Sequence, residues 1–129
     1  MNRKEAAQIL AILKAAYPGS YHGMTQKDAA GTVSVWAMQF AEVPANIVVL
    51  ALQKCISVSK FPPTISEVKD KIQSLHWEAY EGMSDKYLST EVRQRCEAIY
   101  EATKEYRNMK SYEPTLTQMI AGGQMLIGE

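Results

Sequence analysis

Nothing constrains the fold of this chain more than the spacing of its apolar residues behind helix-opening signals. Asn2 precedes Ala6, Ile9, Leu10, Leu13 and Tyr17, the three-and-four spacing of a single helical face. Tyr17-Pro18-Gly19-Ser20 ends that stripe, because proline disfavours helix in the residue before it and glycine loosens the turn. Thr25-Gln26-Lys27-Asp28 opens a second helix, with threonine as the cap and an acid three residues on. Its stripe is Ala29, Val33, Trp36, Ala37 and Phe40. Pro44 suits the first turn of a third helix, where a missing N–H costs nothing. From Ile47 to Ile56 that helix is apolar almost all round, which predicts the most enclosed position. The β-branched run Ile47-Val48-Val49 would also suit a strand, but the segment's length and proline start favour helix. Lys60-Phe61-Pro62-Pro63 is an extended connector into a capping box, Thr64-Ile65-Ser66-Glu67. The fourth stripe, Ile65, Val68, Ile72 and Leu75, belongs to a helix reaching about Glu81.

Gly82-Met83-Ser84-Asp85 is the clearest boundary in the sequence. Beyond it, Ser89 or Thr90 starts a fifth helix that reaches about Arg107. Its apolar face, Val92, Cys96, Ile99, Tyr100 and Thr103, is narrow, and Glu97, Glu101 and Glu105 form a like-charge ladder partly offset by Lys104 and Arg93. Pro114-Thr115-Leu116-Thr117-Gln118 opens a last short helix that Gly122-Gly123 ends. The expected fold is therefore all-α. A compact four-helix N-terminal bundle spans 1–81, and a charged helix and a short C-terminal helix follow within 82–129.

Composition narrows the function classes. Hydrophobic residues make up 47% and charged residues 22%, the balance of a folded domain, and 129 residues suffice for one domain of ordinary size. Formal net charge is zero, whereas a nucleic-acid binder needs a clustered positive surface to displace counterions. The charge is unevenly split, with eight Lys/Arg against five Asp/Glu in 1–75 and six against nine in 76–129. The N-terminus lacks the apolar core of a secretory signal, and the longest apolar run, Ile47 to Leu52, is far too short to cross a membrane. Cys55 and Cys96 stand at no motif spacing and read as reduced, half-buried thiols, which places the protein in a cytoplasm.

The residues offer no basis for catalysis. No glycine-rich phosphate loop ends in Lys-Ser or Lys-Thr, and no nucleophile lies in a recognisable set with a base. His22 and His76 lie far from each other and from both cysteines, so neither zinc nor another metal or cofactor is expected. His22 reads as an exposed turn residue and His76 as a surface or half-buried one. Two features remain for binding. Tyr17, Tyr21, Trp36 and Phe40 form an aromatic set best explained by core packing. The tail residues Tyr112, Leu116, Met119, Ile120, Met125 and Leu126 either fold back onto the bundle or form an amphipathic anchor for a groove on another protein, with methionines adapting to the pocket.

Taken in order, Ala16-Tyr17-Pro18, Tyr21, Met24-Thr25, Thr32-Val33, Trp36-Ala37-Met38 and Phe40 resemble the phage-encoded replicative-helicase loader/inhibitor family. The likeness continues through the apolar third helix into Lys60-Phe61-Pro62-Pro63-Thr64-Ile65 and Glu67-Val68-Lys69, and it covers 1 to about 75. Glu113-Pro114-Thr115-Leu116 with Gly122-Gly123-Gln124 looks like the family's C-terminal segment, while 78–111 has no match. The resemblance implies a non-catalytic DNA-replication protein in the bacterial host cytoplasm. Its partner would be a hexameric replicative helicase, whose ATPase and DNA engagement it suppresses before handing the helicase to an origin-bound initiator. It further implies that 82–129 is a partly mobile helicase-interacting segment, which makes Tyr112, Leu116, Met119, Ile120, Met125 and Leu126 the expected partner-binding residues. A small helical DNA-binding phage or prophage regulator is the alternative, and a structural helical adaptor is a third reading. A recognition helix should expose several Arg, Lys, Asn or Gln. Helix two offers only Gln26, Lys27 and Gln39, and helix four only Lys69, Lys71 and Gln73. No sequence-specific nucleic-acid contact is expected.

Overall fold

The helix starts follow from local hydrogen bonds that the sequence supplies. The computed structural model describes residues 1–107, and the expected short helix after Pro114 lies outside them. Helix α1, Arg3–Ala16, is opened by Asn2, whose side chain accepts from the Glu5 N–H while the Glu5 carboxylate accepts from the Asn2 N–H. Helix α2, Gln26–Gln39, has the same reciprocal box between Thr25 and Asp28. Helix α4, Ile65–Met83, repeats it between Thr64 and Glu67 at 3.1 and 2.8 Å. Each box satisfies two backbone groups that a helix end otherwise leaves to water, and losing such a cap costs about 1 kcal/mol. Helix α3, Ala45–Ile56, has no side-chain cap; Pro44 sits at its cap position, and the Pro44 carbonyl accepts from Ile47 and Val48. The β-branched run is thus helical. Ser89 caps helix α5, Thr90–Thr103, and a short 3-10 turn, Lys104–Tyr106, continues it. No strand occurs among the described residues.

The expected stripes become the core. Ala6, Ile9, Leu10 and Leu13 of α1 meet Val33 and Trp36 of α2, with Phe40 and Val43 closing the turn after it. Ile47, Val48, Ala51, Leu52 and Cys55 of α3 pack on Val68, Ile72 and Leu75 of α4. The helices pair mainly in sequence, α1 with α2, α3 with α4 and α4 with α5, and α1 also lies against α3. The turn from α1 to α2 reverses at Gly23 rather than at Gly19: Gly23 has φ +82°, a conformation side chains disfavour. In the connector before α4, Tyr17 donates its hydroxyl to the Ser59 carbonyl, tying the end of α1 to the end of α3.

Helix α5 does not stand apart from the bundle. It lies along the second half of α4, and Thr103 and Tyr106 are buried there, Tyr106 as a member of the central core. The two helices approach closely at Gly82, where a Cβ would stand 2.5 Å from the Cys96 sulfur. The position expected as a boundary is therefore also a packing contact.

Candidate partner-binding surface

Helix α4 has two successive neighbours. Up to Leu75 it faces α3; from His76 onward it faces α5, with His76 and Ala79 buried at that contact. His76 is fully buried, correcting the expectation of a surface or half-buried residue; the sequence placed no partner helix beside it. Thr103 donates its hydroxyl to the Ile99 carbonyl at 2.6 Å, the backbone group one turn earlier. Its oxygen is left to accept, and His76 Nδ1 lies 3.0 Å away, which assigns the neutral Nδ1–H tautomer. Nε2 has no partner among the described residues. Burial holds the imidazole below its ordinary pKa, the Tyr100 backbone opposes this in part, and the Arg107 charge adds to it.

One residue along from His76, the side chains reach the edge of the helix pair. The His76 ring stacks on Tyr100 at 4.5 Å, Tyr100 meets Tyr80 at 5.8 Å, and Tyr80 meets Trp77 edge-on at 5.8 Å. Trp77 and Tyr80 are 42% and 52% exposed, so the row begins inside the protein and ends at its surface. The Trp77 indole N–H donates to the Arg107 carbonyl at 3.1 Å, which fixes the end of the described chain beside this row. Such a seam is chemically inert and suited to binding: flat rings with half their area still in water, held rigidly by two helices. The sequence reading missed it. The available signal was Trp77 and Tyr80 three residues apart on one helix and Tyr100 on the next, but the pairing of those helices had to be known first.

Other surfaces offer less. Phe61 and Val58 protrude from the connector before α4, and Val35 and Met38 from α2, without neighbouring aromatic rings. The aromatic set near the first turn is core: Tyr17, Trp36 and Phe40 are buried, Tyr21 is half-buried, and Trp36 lies 5.5 Å from Phe40. The polar residues a recognition helix would need are partly consumed. Lys69 donates to the Gln39 side chain at 2.6 Å and lies over the Phe40 ring, and Gln73 is buried.

Among the described residues, no group of three His, Cys, Asp or Glu stands close enough to hold a metal ion. Cys55 and Cys96 are free thiols; Cys55 is buried, which pushes its pKa up and keeps it protonated. No described helix is long and apolar enough to cross a membrane. The expected partner-binding residues Tyr112, Leu116, Met119, Ile120, Met125 and Leu126 lie outside the described residues.

Comparison with known proteins gives one match. The family model for the N-terminal domain of the phage gene-39 protein, a helicase loader and inhibitor, matches residues 1–69, which span α1, α2, α3 and the capped start of α4. No curated protein and no solved structure matches the chain.

Proposed function

Because the chain belongs to the gene-39 protein family of phage helicase loaders and inhibitors, we propose that it binds a hexameric replicative helicase, suppresses its ATPase and DNA engagement, and passes it to an origin-bound initiator. The family match over residues 1–69 carries this reading. The packing supports it in one respect. The matched residues spend their apolar side chains on their own core, as a scaffold does, and leave contact with a partner to the remainder of the chain.

In this reading residues 1–81 are the scaffold and 82–129 bring the helicase contact. Tyr112, Leu116, Met119, Ile120, Met125 and Leu126 are the anchors, because Leu116, Met119 and Ile120 have the spacing of an amphipathic segment that lies in a groove. The protein acts by occupancy and consumes no nucleotide itself. Titrated against the helicase of its host or phage, it should lower ATPase activity in proportion to the fraction bound and level off at a fixed stoichiometry. Inhibition complete well below one copy per hexamer would contradict occupancy. A tight sequence-specific complex with duplex DNA, steeply weakened by salt, would favour the regulator reading instead.

A further inference from the structure

We propose that the Trp77–Tyr80–Tyr100 seam is the docking site for this chain's own C-terminal segment, residues 112–120, and that a helicase must displace that segment to use it. The second half rests on the functional reading above; the first half does not.

Three observations select this occupant. The first is position. Arg107 is held at the seam by the bond from the Trp77 indole, so every residue after it starts from there. Tyr112 is five residues farther, a reach of up to about 17 Å if extended. The rings to be covered are spaced only 5.8 Å apart, so Leu116, Met119 and Ile120 fall well within range.

The second is chemistry. Of the residues from 108 to 129 only Lys110, Glu113 and Glu129 are charged, while Leu116, Met119 and Ile120 supply apolar groups three and four apart. A methionine thioether gains from contact with an aromatic ring, and the seam presents the half-open rings of Trp77 and Tyr80. The third is the tether. A segment joined by a short linker sees its site at an effective concentration on the order of millimolar, so a contact too weak to hold a separate molecule is still formed. A second copy's tail would have to compete at the bulk concentration, which is far lower in dilute solution. For the helicase, the seam thus competes for the same apolar anchors.

Methyl NMR on the full chain, labelled at Leu, Met and Ile, tests this. The Leu116, Met119 and Ile120 methyl signals should be shifted upfield by the rings and show cross-relaxation to Trp77 and Tyr80 protons. Both effects should be unchanged by dilution. Tyr80→Ala, at a position more than half exposed, should return these methyl signals to their random-coil positions without altering the Trp36 region. Random-coil methyl shifts in the unmodified chain, or upfield shifts that fade on dilution, would overturn intramolecular docking. On adding the helicase, the cross-relaxation should vanish as the complex forms, and its persistence in the complex would overturn displacement. If no complex forms while the cross-relaxation is present, docking stands and the helicase reading fails.

Discussion

Helices α1 to α3 and the first half of α4 enclose a core of Ile, Leu, Val, Trp and Phe, whereas the second half of α4 meets α5 through His76, Tyr100 and Thr103. In the first region the exposed face is polar with scattered apolar residues, and the large rings of Trp36 and Phe40 are covered. In the second the row of rings runs out to half-exposed Trp77 and Tyr80. The first arrangement is closed: each apolar stripe has found another, and removing a side chain leaves a cavity. The second depends on a buried polar bond and leaves apolar area over for something else. The family match ends at residue 69, close to where one style of packing gives way to the other. The contrast separates a scaffold from a surface that can still be covered.

The two tryptophans test that contrast with the largest effect. Trp36→Ala should cost about 3–5 kcal/mol, a large part of the stability of a domain this size. Trp77→Ala, removing a ring already 42% exposed and one hydrogen bond, should cost much less. Urea unfolding of both variants measures the difference, and equal losses would erase the distinction between the regions.

A smaller effect is expected where the regions join. Gly82→Ala forces a methyl group against the Cys96 sulfur, so α5 must shift or Cys96 must change rotamer. The loss should be about 1–3 kcal/mol. Amide exchange should show faster opening in α5 than in α1 and α3. Uniform acceleration across all helices would mean that the α4–α5 contact is no weaker than the rest.

The smallest effect is the response to pH. The imidazole of buried His76 is held below its ordinary pKa. The unfolded chain therefore takes up this proton first, as pH drops below about 6.5. The stability tied to a neutral His76 is fully present above that pH and is lost as pH falls through the lower folded value. Thermal melts from pH 7.5 to 5 should show a decline that His76→Gln lessens. A decline of the same size in His76→Gln would assign it to other groups.

Much of the fold was legible in the residues because its signals are local. Capping boxes at Thr25 and Thr64 and the proline at 44 determine helix starts within one turn of the chain, and the stripes show which face is buried. Pairing between helices is not local. Whether His76 meets water or Thr103 depends on where α5 lands, and the intervening Gly82–Ser89 stretch does not encode that in any periodicity. The aromatic seam was illegible for the same reason, since Tyr100 reads as part of a narrow stripe until it is set beside Tyr80. The family was readable because its residues are spread through the locally encoded half.

The central claim is that the tail, not the bundle, holds the helicase. Its most direct test is sedimentation of the helicase hexamer with the full chain and with a Met119→Asp, Ile120→Asp double variant, whose circular dichroism and melting should match the parent. The account predicts that the parent co-sediments to saturation and that the variant binds at least tenfold more weakly, because its carboxylates would be buried without partners. Undiminished binding by the folded variant would place the contact on the bundle and contradict the account.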